Sequence, residues 1–157
     1  HYAKWKWLEE FDALVLLDEN QSVGQACIQR EDLSLPDPPV YLWIRPDGPR
    51  ELSSPTASAF LEAALIYEAV WQLPYSPEEI FEFSEADLEV VHSRLTRHPT
   101  VMKNWFGPEN TFYSNRPDNL VVVMDLDGGE YQAIYGAFTQ ESYAALLEVM
   151  EGLGEPI

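Results

Sequence analysis

At 157 residues and 46% hydrophobic composition, the chain has the size of one soluble globular domain, and no apolar run reaches the roughly 20 residues that cross a membrane. Its 27 acidic residues outnumber nine basic ones, giving a formal net charge of -18. Because the basic residues form no run or stripe, this balance excludes nucleic acid and an anionic membrane surface as natural ligands. A basic partner is favoured instead.

The single cysteine and the first residues of the chain indicate the cellular compartment of the protein. The single cysteine, Cys27, has no partner for an internal disulfide and lies in an apolar stretch, as a small core residue does. This usage is typical of a reducing compartment and no secretory signal is evident, so we expect a cytoplasmic protein. The chain begins at His1 rather than at methionine, which leaves open whether native N-terminal sequence is missing.

The first part of the chain predicts three strands. The apolar runs FDALVLL and VGQACIQ predict a pair of strands, and the polar run DENQ between them, residues 18–21, predicts their hairpin turn. Pro36, Pro38 and Pro39 then force an extended entry into a third strand over residues 40–45.

A long apolar helix is predicted next, in LSSPTASAFLEAALIYEAVW. Ser54 is its expected N-cap, and Pro55 occupies the first helical position, for which its fixed φ is suited. Residues 60–71 are apolar on nearly every side. We therefore expect the most buried helix of the fold here, with Leu61 and Leu65 out of solvent.

Two capping boxes follow, one starting at Ser76 in SPEE and one at Ser84 with Asp87 three residues later. They predict two helices or one broken helix, and Pro99 is expected to end the second. After the irregular stretch TVMKNWFGPEN, the chain predicts three more strands, near residues 111–114, 119–126 and 130–137.

Gly128-Gly129 predicts a hairpin between the last two of these strands, because glycine tolerates positive φ. Thr139 then caps a final helix that Gly152 ends. The predicted order is β-β-β-α-α-β-β-β-α. It indicates an α+β fold, an antiparallel or mixed sheet of about five to six strands with helices packed on it, in a single domain over residues 1–157.

Two sets of carboxylates are candidates for acid-base chemistry. Asp18 and Glu19 lie in the predicted turn, where such residues are usually solvated, and Glu68 lies on the apolar helix, where burial would suit an acid catalyst. A small enzyme using either set is one alternative function, and a scaffold or regulatory protein is another. A deep polar pocket around these carboxylates would favour the enzyme, and a flat acidic surface with exposed aromatics would favour a binding protein.

Metal and cofactor sites are not expected. The run DLDGGE, residues 125–130, begins like a calcium loop but has Gly136 where the loop needs a glutamate. His92 and His98 are six residues apart across a predicted helix end, and no phosphate-binding glycine loop is present. We therefore assign no catalytic residue, no metal and no cofactor.

One cluster stands out as a candidate partner-binding site. Six carboxylates without a base lie within residues 78–89, named here the acidic segment. Part of this charge complements helix starts, and the remainder suits a surface that attracts a basic protein and holds it with aromatic anchors. The candidate partner-binding residues are Glu78, Glu79, Glu82, Phe83, Glu85, Asp87, Glu89, Trp105 and Phe106.

Four stretches together carry a family resemblance: DENQ between two strands, DPPVYLW, LSSPTASAFLEAALIYEAVW and VVVMDLDGGEYQAIYGAFTQESYAALL. Over roughly residues 14–152 the chain resembles the C-terminal two-thirds of the SUKH superfamily. That resemblance implies an α+β fold and, for bacterial members, immunity proteins that bind polymorphic toxins; fungal relatives regulate cell-wall synthesis. The family has no shared catalytic set.

The expected function is therefore a non-enzymatic binding module, an immunity-type protein that neutralises a basic toxin such as a nuclease.

Overall fold

The computed structural model of the chain describes residues 12–18, 24–44, 48–104 and 107–157. Within them, the three helices are α1 Ala57–Val70, α2 Glu85–Arg94 and α3 Gln140–Met150. The ten strands are β1 Ala13–Asp18, β2 Gln25–Gln29, β3 Val40–Trp43, β4 Glu51–Ser54, β5 Phe81–Phe83, β6 Thr96–Asn104, β7 Gly107–Ser114, β8 Asn119–Asp125, β9 Tyr131–Ala137 and β10 Glu155–Pro156. These elements confirm the predicted α+β class. In the described part of the chain, no helix is long and apolar enough to cross a membrane.

Contacts group the chain into two compact units. The first holds the described residues within 1–62 and 102–105, and the second holds those within 63–101 and 106–157. In the first unit, β1, β2, β3 and β4 follow one another as an antiparallel meander. The second sheet has the order β10-β5-β9-β8-β7-β6.

The core of the second unit lies between one face of its sheet and two helices. Alternate residues of β8 and β9 point to this face, as the period of two in a strand requires. Helices α2 and α3 contribute the apolar side chains that cover it. The buried members are Phe83, Val91, Leu95, Tyr113, Val121, Val123, Ala133, Tyr135, Leu146 and Met150.

Three local predictions are confirmed. The β8–β9 hairpin turns through Gly128 and Gly129, which both have positive φ. Ser84 caps α2 with a reciprocal capping box to Asp87, and Thr139 caps α3 by accepting a hydrogen bond from the Ser142 backbone N–H. Each of these signals involves residues close together in sequence.

The prediction for α1 is wrong in two respects. The helix begins at Ala57, because Ser54 still belongs to β4 and the Thr56 side chain accepts from the Ala59 backbone N–H at 3.2 Å. It is also not buried all round, since Leu61 is 49% exposed and Leu65 is 72% exposed. An apolar sequence gives a helix that could be buried on every side, but the neighbouring elements cover only part of it.

Two further predictions fail around the acidic segment. Ser76 starts no helix, and the chain instead forms the short strand β5, which pairs with β9 and β10. Helix α2 ends at Arg94, well before Pro99, which lies inside β6. A proline is tolerated there because β6 is an edge strand.

The two predicted hairpins were expected on one sheet, and this is wrong. Strands β1 and β2 pair antiparallel with Asp18 opposite Gln25 in the four-stranded sheet, whereas the glycine hairpin belongs to the six-stranded sheet. Of the run DENQ, only Asp18 is described, at the end of β1; residues 19–21 lie outside the described residues.

Candidate partner-binding surface

The acidic segment runs through three local structures of the second unit. Its first two glutamates lie in the bends before β5, Glu82 occupies the middle of β5, and the last three acids lie on α2. All five glutamates of the segment are exposed, and Asp87 is half-buried. The exposed members are Glu78, Glu79, Glu82, Glu85 and Glu89.

Asp87 has an internal structural role. Its carboxylate accepts from the Ser84 backbone N–H at 2.9 Å and from the Ser84 hydroxyl at 2.6 Å, and the backbone N–H of Gly154 also donates to it. Partial burial would raise the pKa of Asp87, but the hydrogen bonds outweigh burial and lower that pKa below its ordinary value. Asp87 therefore holds the start of α2 and the C-terminal stretch together, and it is not an available partner contact.

Among the residues that the structure describes, the five glutamates of the segment have no comparable internal partners. Across the described residues, the ion pairs join other side chains, and none of them involves a glutamate of the segment. Glu82 also lies directly opposite Glu155 of β10, and like charges at such positions repel each other. The ion pairs are Arg30 with Asp12, Arg97 with Glu109 and Arg116 with Glu141.

An open cleft of about 590 Å³ collects part of this charge. Its lining includes the carboxylates of Glu82, Asp87, Glu130 and Glu155. Gly154 also lines it and has φ +68, and a Cβ at this position would lie 2.5 Å from the Phe83 ring. Only glycine allows so close an approach, which places β10 and its glutamate beside β5.

One of the three aromatic residues predicted for this surface is buried, and the other two are not described. Phe83 is only 2% exposed and packs in the core, so it is not a partner anchor. The reason is the alternation of β5, in which Phe81 and Phe83 point to the core face and Glu82 to the opposite face. The other two candidates, Trp105 and Phe106, lie outside the described residues.

A different set of aromatic side chains is exposed near the acidic segment. Trp71 is 45% exposed, Tyr75 39% and Phe138 68%, and we name these three the aromatic surface. Two backbone hydrogen bonds of 3.2 and 2.8 Å join Tyr75 to Ala137, so the backbone of Phe138 follows directly after the residue paired with Tyr75. The only sequence signal for this surface was the run WQLPYS after α1, because the position of Phe138 depends on a distant pairing.

The two alternative sets of carboxylates proposed for acid-base catalysis belong to different units, Asp18 to the first and Glu68 to the second. Glu68 is exposed on α1, and Asp18, at the end of β1, accepts from the Gln25 side-chain amide at 3.3 Å. Glu19 lies outside the described residues. A search of the described residues finds no group of three or more His, Cys, Asp or Glu side chains placed to hold a metal ion.

Comparison of the chain with protein-family models, with curated proteins and with solved structures found no match. The relationship to the SUKH superfamily stays a hypothesis that rests on sequence pattern.

Proposed function

We propose that this chain is a non-enzymatic protein-binding module that covers a basic protein partner. The contact surface consists of the aromatic surface, Trp71, Tyr75 and Phe138, together with the exposed glutamates of the acidic segment. One observation carries the proposal: Trp71 and Tyr75 are exposed immediately before a run of glutamates that have no ion-pair partner among the described residues, and Phe138 is exposed next to the strand residue that pairs with Tyr75.

The two parts of this surface have different physical roles. Exposed aromatic side chains supply binding energy when a partner removes them from water, and they are enriched among the residues that dominate interface energetics. Exposed charges contribute mainly to the rate of encounter and to selection of the partner. A net charge of -18 extends that attraction over the whole molecule and favours a strongly basic partner.

The immunity-type assignment is the specific form of this proposal. An acidic protein is suited to cover the basic active surface of a toxin that acts on nucleic acid, because that surface must itself attract phosphate. The resemblance to the SUKH superfamily supports the same assignment. The partner would then be the basic toxin domain encoded beside the gene of this chain.

The proposal is tested by co-expressing the chain with that toxin domain and measuring growth, followed by binding kinetics on the purified pair. We expect growth to be restored. Phe138→Ser should raise the dissociation rate by about 30-fold, equivalent to about 2 kcal/mol. The matched control is Leu35→Ser, which removes another half-exposed apolar side chain, in the first unit, and should leave the rate unchanged.

Two outcomes would contradict the proposal. If growth is not restored and no complex forms, the chain does not neutralise that toxin. If Phe138→Ser and Leu35→Ser weaken the complex equally, the aromatic surface is not the contact.

A further inference from the structure

A small polar pocket lies at one end of the second sheet, apart from the aromatic surface. Its volume is about 200 Å³, and its floor includes the cross-strand row Glu109, Asp125 and Tyr131, which lie directly opposite one another on β7, β8 and β9. His92 of α2 and Arg97 of β6 line its sides. Pockets for drug-sized ligands usually exceed about 300 Å³, so this one suits a single small group.

The charges of the pocket favour a cation. Glu109 and Asp125 are direct cross-strand neighbours, and two carboxylates so placed repel each other. The Arg97 guanidinium lies 3.2 Å from Glu109 and offsets one of these charges. Asp125 accepts from the Asp127 backbone N–H at 2.9 Å and forms no ion pair with a described residue, so one negative charge remains.

Aromatic groups also line the pocket, and one of them, Tyr131, is next to that charge. Tyr131 lies opposite Asp125 across the strand pair, and the buried Tyr113 hydroxyl is 2.7 Å from Nε2 of His92. The rings of Tyr113 and His92 are 5.5 Å apart. A flat cation is favoured beside tyrosine faces and next to a carboxylate, because both interactions are strengthened when water is excluded.

We propose that this pocket binds a guanidinium group, held by the Asp125 carboxylate and packed beside Tyr131. The pairing of Arg97 with Glu109 is an internal example of the same recognition. The ligand is either the side chain of an arginine in a protein or a small free guanidinium compound. The site does not depend on the proposed toxin partner, because Asp125 and Tyr131 belong neither to the aromatic surface nor to the acidic segment.

The test is a titration of the ¹⁵N-labelled chain, followed by amide chemical shifts, with Nα-acetyl-arginine amide. Saturable shifts are expected at Asp125, Asp127 and Tyr131. The matched ligand is Nα-acetyl-citrulline amide, which has the same shape without the charge and should not bind measurably. Methylguanidine distinguishes the sources: weaker binding than the arginine compound indicates an arginine side chain, and equal binding indicates a free guanidinium compound.

Two variants of the β8–β9 hairpin make the test specific. Asp125→Asn keeps an oxygen that accepts from Asp127 and should weaken binding by about tenfold or more. Asp127→Asn makes the same change of charge on an exposed residue whose positive φ asparagine tolerates, and binding should be unchanged. Equal shifts with arginine and citrulline compounds, or equal loss in both variants, would overturn the proposal.

Discussion

Two polar regions of the second unit use their side chains in opposite ways. One is the corner between the β7–β8 connection and α3, where the buried Asn119 side chain donates to Ser142 and to Asn115. Its oxygen accepts from the backbone N–H groups of Asn115 and Arg116. The other region is the acidic segment, whose exposed glutamates make no such network with the described part of the chain.

Charged residues differ between the two regions in the same way. In the corner, hydrogen bonds from Ser142 and Thr139 lower the pKa of Asp118, and Arg116 pairs with Glu141 at 2.8 Å. In the acidic segment Asp87 is held in this way, by hydrogen bonds from Ser84 and Gly154. The number of polar groups in a region therefore does not identify a functional surface. Groups satisfied inside the fold are structural, and groups left without partners are available to an outside molecule.

The largest expected effect comes from breaking the corner. Asn119→Ala leaves the N–H groups of Asn115 and Arg116 without their acceptor and removes the donor to Ser142. We expect the free energy of unfolding to fall by roughly 2–4 kcal/mol, because the buried Ser142 oxygens lose their donor and the backbone at Asn115 and Arg116 loses its acceptor. Urea denaturation measures this change.

The control is Gln72→Ala, which removes an exposed amide and should change stability by less than about 0.5 kcal/mol. If both variants lose the same small amount, the corner does not differ energetically from the surface, and the comparison fails.

A smaller loss of stability is expected on replacing Asp87, the member of the acidic segment that is hydrogen-bonded inside the fold as the corner residues are. Asp87→Ala removes the acceptor for Ser84 and for the Gly154 N–H, and should cost about 1 kcal/mol, as for other helix caps. Glu85→Ala, in the same first turn but exposed, is the control and should cost much less.

The pH dependence of stability in wild type and in Asp87→Ala tests whether the carboxylate charge is responsible. The pKa of Asp87 is lower in the folded chain than its ordinary value of 3.8, so its contribution to stability is present above that value. It is lost as the pH falls through the folded pKa. The stability difference between wild type and Asp87→Ala should therefore shrink on acidification. A difference independent of pH would show that the carboxylate charge is not involved.

Sequence reasoning succeeded for three local signals but not for every one, since Ser76 starts no helix and the chain there forms β5, which pairs with the distant β9. The capping box of Ser84 and Asp87, the glycine hairpin and the Thr139 cap each involve residues a few positions apart, and all three form. It failed where a distant neighbour decides. The burial of Leu65 depends on whether another element covers that side of α1, and composition cannot supply this.

The candidate sites divide in the same way. Exposed glutamates were predictable from charge density, and five of the six carboxylates are indeed exposed. The burial of Phe83 required knowledge that the segment forms a strand rather than a helix. The pocket around Asp125 was not predictable, because strand pairing brings Glu109 beside it from 16 residues away.

The smallest effect on stability is expected for the acidic segment. Replacing Glu82, Glu85 and Glu89 together by glutamine should change the free energy of unfolding by less than about 0.5 kcal/mol, since they lack internal partners among the described residues. Relief of the repulsion between Glu82 and Glu155 favours a slight gain. Association with the basic toxin domain should slow and its salt dependence should flatten, because exposed charges act on the encounter.

The matched control replaces three exposed glutamates elsewhere, Glu62, Glu68 and Glu151, by glutamine, with the same change in net charge. Stopped-flow measurements of the association rate at low and high salt compare the segment variant with this control. A larger loss of rate for the segment variant assigns the encounter to that surface. Equal losses of rate would mean that the overall charge of the molecule attracts the partner. A loss of stability above about 1 kcal/mol in the segment variant would mean that its glutamates are structural groups, like those of the corner.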